Sequence, residues 1–424
     1  MNHCGGMSQW TGITESKVWY SNLNWEQRVR AGLRLPQVHN KAGEAVIRQM
    51  DVHQIYLADP EDTVILKEQP DEEFIDYVEG QLQSLPRLRI GLPGHFPEEL
   101  ANRLAVPYLV DREEADFLRN LNARWIGPDP DLAWRLNNKL ETRLLCEQHH
   151  IDLSDGYICR NLKELNAAYK SLSKRYPNNR LVLKTEFGSS GKNMMHIYKP
   201  GDFEHIESLL AHRSGGRDFS ISIERWHEAE KTMSAQLFIW SGHARLLAVT
   251  EQLTNEVGVY KGSILNPAWP DAVRERYEEQ LNLIGSVLAR MGYEGVIGVD
   301  SILDKQGRLL PAIEFNARLT LVTYLLKIIN KLIEGGFPSI RNQYYDLKPG
   351  QFLSFSPFLA GARAAAATAK GERECFFVYG FHVSKEDESS RLCRIFILYW
   401  GIDPAHLQHT KQAVEQYISQ TGRG

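Results

Sequence analysis

The chain has 424 residues, 43% hydrophobic and 24% charged, enough apolar content for two or three packed domains and too much for a disordered protein. A net charge of -4 with scattered Lys and Arg gives no basic field for nucleic acid. No window approaches eighteen apolar residues, no signal pattern opens the chain, and five cysteines without C-x-x-C spacing fit a reducing cytoplasm rather than disulfides, a zinc site or a membrane.

From Lys17 to about Gly127 short apolar runs alternate with amphipathic stretches. Lys17 to Ser21, Gln54 to Ala58 and Leu88 to Gly94 read as strands, and Glu72 to Ser84 and Glu98 to Ala105 as helices. That alternation predicts a parallel, doubly wound sheet. No G-x-G-x-x-G follows the first strand, so no dinucleotide site is expected. A breaker cluster, Trp125-Ile126-Gly127-Pro128-Asp129-Pro130, then leads into one helical run from Leu132 through Glu147, which carries Asn137-Asn138-Lys139 and Arg143.

Arg180 to Lys184 reads as a strand, Gly188-Ser189-Ser190-Gly191 as a loop, and Met194 to Tyr198 as a returning strand. Small residues let backbone N-H groups close over phosphate oxygens, and the strand that follows excludes a Walker A loop. Next come Glu224-Arg225-Trp226-His227 and Glu230, a strand from Thr232 to Trp240, a polar strand-like stretch from Thr250 to Ser263 that includes Tyr260, and a long amphipathic helix from Asp271 to Met291.

Two alternating runs, Gly295 to Leu303 and Arg308 to Phe315, flank the turn-like Asp304-Lys305-Gln306-Gly307 and predict a β-hairpin. Period two places Glu314, Asn316 and Arg318 on one face, with Asp300 on the partner strand. Carboxylates and an amide carbonyl are hard oxygen ligands of the kind that hold Mg2+ on ATP phosphates, and an arginine fork suits phosphate. Leu319 to Gly335 reads as a helix and Ala360 to Gly371 as a helix or hinge. Cys375 to Val383 and Arg391 to Trp400 read as strands, and Pro404 to Thr421 as a helix. His382, His406 and His409 lack acidic or cysteine partners at ligand spacing, so they are expected to be core or surface residues.

Taken in order, Lys139, Lys184, the glycine-serine loop, Glu224 with Glu230, and Asp300…Glu314-x-Asn316-x-Arg318 resemble the motif series of ATP-grasp ligases over roughly the middle half of the chain. The segment Trp19-Tyr20-Ser21-Asn22-Leu23-Asn24 resembles the branch that includes pheganomycin-type peptide ligases and the glutamate to acyl-carrier-protein ligase of butirosin biosynthesis. The resemblance implies an α/β and α+β architecture. A doubly wound pre-ATP-grasp domain (17–127) would precede an ATP-grasp domain (128–350, lid about 150–222), and a small C-terminal α+β domain (351–424) would follow.

It also implies roles. Asp300, Glu314 and Asn316 would bind Mg2+, or Mn2+; Lys139 would reach ATP; Lys184 and Arg318 would be catalytic, with Lys184 also at the α-phosphate. Gly188, Ser189, Ser190 and Gly191 would close over the phosphates, Glu224 would meet the adenine amino group, Trp226 would sit in the adenine hinge and Glu230 would meet the ribose. The implied reaction converts a carboxylate to an acyl phosphate with release of ADP. The thiol of an acyl carrier protein in antibiotic biosynthesis then displaces phosphate, with glutamate as the amino-acid substrate. The alternatives are an amine nucleophile, which would make a peptide ligase, and an inactive nucleotide-binding regulator; a homodimer also falls within the family's range.

Overall fold

The computed structural model describes residues 6–23, 41–178, 180–188, 194–215, 217–254, 260–347, 354–368, 375–384 and 392–421. Its N-terminal part forms a parallel sheet of β1 (Lys17–Tyr20), β2 (Thr63–Leu66), β3 (Arg87–Ile90), β4 (Leu104–Pro107) and β5 (Arg124–Trp125), in spatial order β3-β2-β1-β4-β5. Strands β1, β2 and β4 are buried along their whole length, as expected for a parallel sheet covered on both faces. The sheet is doubly wound, as the alternation predicts, and the chain order reverses between β1 and β4.

Two local expectations change. Gln54 to Ala58 is not a strand, because Met50–Tyr56 is a 3-10 helix with Asp51 to Tyr56 all buried; a short apolar run does not distinguish the two. The second strand is Thr63–Leu66 instead. The helix expected over Glu98 to Ala105 stops at Leu100, since the apolar run that follows is used as β4.

A second, antiparallel sheet contains β6 (Gly156–Cys159), β7 (Leu181–Thr185), β8 (Met194–Ile197) and β9 (Ile221–Arg225), in order β6-β9-β7-β8. It has its own core, in which Leu165, Leu172, Leu183, Phe203 and Ile221 meet. The third sheet holds β10 (Ala229–Trp240), β11 (His243–Thr254), β12 (Tyr260–Ile264), β13 (Gly295–Asp304), β14 (Leu309–Asn316), β15 (Ser339–Leu347), β16 (Phe376–Val383) and β17 (Cys393–Gly401). Its order is β14-β13-β10-β11-β12-β15-β17-β16, with all pairings antiparallel. The C-terminal strands read from the sequence therefore lie in the same sheet as the predicted hairpin.

The single helix expected from Leu132 to Glu147 is two: α1 (Pro130–Asn137) and α2 (Lys139–Gln148). Asn138 between them is extended, at φ -86° and ψ 119°, and its side chain accepts the Leu140 N-H at 2.9 Å. Asparagine is a strong N-cap, and that local bond competes with a continuous helix. Among the described residues no helix is long and apolar enough to cross a membrane.

The 3-10 helix packs His53 against His382 of β16, with ring centroids 5.4 Å apart and both side chains buried. Burial pushes the His53 pKa down to about 3 and that of His382 well below its ordinary value. The unfolded chain binds a proton at each below about pH 6.5 and the folded chain does not, so stability falls as pH drops from 6.5 toward 3. His53→Leu is expected to flatten the dependence of unfolding free energy on pH by about 1.4 kcal/mol per pH unit between about pH 6 and 4, measured by urea titration.

Candidate active site

The predicted hairpin forms as β13 and β14. Its turn is built by Asp304, whose Oδ1 accepts the N-H groups of Gln306 at 2.9 Å and Arg308 at 2.8 Å, while Gly307 takes a left-handed φ of 77°. In the resulting register Asp300 stands directly opposite Glu314, and Gly298 opposite Asn316. Burial and then the neighbouring Glu314 charge push the Asp300 pKa up to about 6, against hydrogen bonds from Ser234 and Asn316. Asn316 Nδ2 donates to Asp300 Oδ2 at 3.0 Å, and Gln252 Nε2 donates to Asp300 Oδ1 at 2.9 Å. Lys139 Nζ lies 2.5 Å from Glu314 Oε1.

Two mutually repelling carboxylates beside an amide oxygen form a donor set suited to a hard divalent cation. No group of three or more His, Cys, Asp and Glu at metal-binding distance exists among the described residues, but Mg2+ keeps several waters and needs few protein ligands.

Arg318 does not continue this row. Strand β14 ends at Asn316, and the chain turns there into α3 (Leu321–Glu334), whose N-cap is Thr320. The Arg318 N-H donates to Asn316 O at 2.8 Å, and Arg318 Nη1 donates to Asn137 Oδ1 at 2.6 Å. The guanidinium is therefore held on Asn137 from a loop rather than presented on the strand face.

A second cluster centres on Glu224, which β9 buries. Lys184 of β7 sits opposite Ser222 and places Nζ 2.7 Å from Glu224 Oε2, while Ser222 Oγ donates to Oε1 at 2.8 Å. Arg143 Nη1 stands 3.7 Å from the same carboxylate and is itself anchored on the carbonyls of Ser154 and Gly156. Burial alone would raise the Glu224 pKa; the Lys184 and Arg143 charges and the two hydrogen bonds bring it below the ordinary carboxylate value. Expected at the adenine amino group, Glu224 here has both oxygens engaged within the protein.

The two clusters are joined through the backbone, since the Lys139 N-H donates to Glu186 O at 2.8 Å, just before Gly188. Gly188 lies three residues beyond the end of β7 and has φ 146°; Ser189, Ser190 and Gly191 lie outside the described residues. Trp226 stacks edge-on against His196 at 4.7 Å, and Glu230 is exposed at the start of β10; neither joins a cluster. The sequence reading assigns no role to Asn137 or Arg143, because contacts made across the fold leave no trace in spacing.

The fold matches solved ATP-grasp structures. Phosphoribosylamine–glycine ligase of Thermotoga maritima gives a TM-score of 0.59 at 13% identity, covering 94% of this chain and 96% of that one. An N5-carboxyaminoimidazole ribonucleotide synthetase in complex with ADP gives 0.58 at 12%, covering 96% and 97%. The biotin carboxylase domain of Hydrogenobacter thermophilus 2-oxoglutarate carboxylase gives 0.54 at 12%, covering 94% and 89%. No family model matches. A curated relative, the butirosin acyl-carrier protein–L-glutamate ligase of Niallia circulans, is 33% identical over 317 residues, 74% of this chain and 74% of the relative.

The chain belongs to the ATP-grasp ligases. It is an ATP-dependent ligase, and the expected fold class holds.

In this ligase the Glu224 cluster depends on a glycine. A Cβ at Gly156 would lie 2.5 Å from Ile223 O and 2.7 Å from Glu224 Cγ. Gly156→Ala is therefore expected to destabilise the protein by about 1–3 kcal/mol, seen as a lower melting temperature.

Proposed function

We propose that the enzyme activates the carboxylate of an amino acid, L-glutamate, with ATP and passes it to the phosphopantetheine thiol of an acyl carrier protein in antibiotic biosynthesis. The convergence of Asp300, Glu314 and Asn316 with Lys139 supports the phosphoryl chemistry. The substrate and carrier follow from similarity to the butirosin ligase.

Asp300, Glu314 and Asn316 would hold Mg2+, or Mn2+, which when bound offsets charge on the phosphate oxygens. A carboxylate oxygen of the substrate attacks the γ-phosphorus, the bond to the β-phosphate oxygen breaks, and ADP leaves. Lys139, Lys184 and Arg318 supply the positive charge that follows electron density during this transfer. The carrier thiolate then attacks the acyl carbon, and phosphate departs as the C–O bond breaks. Gly188, Ser189, Ser190 and Gly191 cover the phosphates, because an acyl phosphate open to water would hydrolyse. Trp226 and Glu230 border the adenosine end. A covalent enzyme intermediate is not invoked: burial pushes the Cys146 thiol up to about 12 and the Cys159 thiol up to about 11. In this reading residues 17–127, 128–350 and 351–424 are the pre-ATP-grasp, ATP-grasp and C-terminal units, with the lid at about 150–222.

The test is ATP consumption with Mg2+ and each amino acid, with and without pantetheinylated carrier protein, followed by intact-mass analysis. The expected result is a carrier mass gain of one glutamyl group that hydroxylamine removes. ADP release that needs a free amine, with the carrier unmodified, would instead make the enzyme an amide-forming ligase, and no nucleotide turnover under any condition would leave a binding protein. Glu314→Gln is expected to abolish ADP formation with an unchanged melting temperature; normal turnover in that variant would sink the assignment of the metal row.

A further inference from the structure

We infer that Asn137 is a positioning residue for Arg318, and that the break between α1 and α2 exists to let one short segment hold three parts of the site at once. The inference rests on the reading above that Arg318 acts on the transferring phosphoryl group.

Asn137 is the last residue of α1 and is 6% exposed. Its Oδ1 accepts two hydrogen bonds, from Arg318 Nη1 at 2.6 Å and from the Ala317 N-H at 3.2 Å. Its Nδ2 donates to Ala133 O at 2.8 Å and, more weakly, to Ala317 O at 3.5 Å. The amide orientation is thereby determined, since the flipped form would set donors against donors and acceptors against acceptors. A bond from a guanidinium to a buried amide oxygen is charge-assisted, and it fixes the direction of the arginine without neutralising it. An aspartate at this position would hold the arginine equally well but cancel the charge that the chemistry uses.

Two residues later, Lys139 reaches Glu314, and its N-H holds Glu186 O at 2.8 Å, ahead of the glycine-serine loop. In an unbroken helix, side chains two positions apart point to nearly opposite sides, so Asn137 and Lys139 could not both serve the hairpin and the loop that follows it. The extended backbone of Asn138 removes that limit. At its far end the loop is held separately: the Leu319 N-H donates to Tyr108 O at 3.2 Å, and the hydroxyls of Thr320 and Thr323 donate to Gln236 Oε1 at 2.8 and 3.0 Å. Removing the Asn137 side chain therefore leaves the loop anchored while releasing its hold on the guanidinium.

The experiment is a double-mutant cycle between Asn137→Leu and Arg318→Lys, read as kcat for ADP formation, KM for ATP and melting temperature, alongside the NMR spectrum of arginine-labelled protein. Asn137→Leu is expected to lower kcat by about tenfold to a hundredfold with KM for ATP unchanged, and to cost little further in the Arg318→Lys background. Asn137→Asp is expected to keep the slow guanidinium rotation of Arg318 in the spectrum and still lose kcat. Equal losses of kcat in both backgrounds, or an Arg318 signal that Asn137→Leu leaves unchanged, would overturn the inference. If Arg318→Lys alone leaves kcat intact, the catalytic reading of Arg318 fails instead, and the spectrum still decides whether Asn137 holds it.

Discussion

Asp300 and Glu314 face each other across β13 and β14, and two carboxylates in register on half-buried strands repel unless positive charge or hydrogen-bond donors surround them. Much of the site answers this constraint. Lys139 is drawn onto Glu314, while Gln252 and Asn316 both donate to Asp300. A hairpin carrying this pair would gain little from hydrophobic burial at that point; its place in the sheet is secured by the apolar alternation on the opposite face, where Val299 and Phe315 belong to the same buried core as Tyr277, Leu281 and Ile284 of the long helix Asp271–Arg290.

The second sheet solves a different problem. Its core is separate from those of the other sheets, so the strands that carry Lys184 and Glu224 are stabilised without large apolar contact with the hairpin. What joins the second sheet and the hairpin near the site is polar, through the Lys139 backbone and Arg143. Polar ties of this kind are weak enough to rearrange around a nucleotide and directional enough to restore the same geometry afterwards.

Legibility from sequence followed the range of the forces involved. The hairpin could be read because alternation and turn chemistry are local, and Asp304 and Gly307 carry the turn wherever the rest of the chain lies. The C-terminal strands were legible for the same reason. The run from Gln54 to Ala58 was misread because burial, not periodicity, decides its conformation. The break at Asn138 was signalled by a good capping residue inside an apparent helix, although its purpose lies in Glu314, Arg318 and Glu186, distant in sequence. Arg318 fits the alternation by spacing alone and leaves it because β14 has ended.

The position of β16 bears on how the molecule is made. It is the outermost strand of the sheet that carries the hairpin, it is reached only through β15 and β17, and it is the strand against which the His53 helix of the first sheet packs. A chain emerging from the ribosome can form the first sheet early, yet the surface on which its 3-10 helix rests is not complete until Gly401, at the end of β17, has been synthesised. For most of its translation the N-terminal unit therefore has an unsatisfied apolar flank, so chaperone demand should concentrate there rather than at the hairpin, which closes through local contacts.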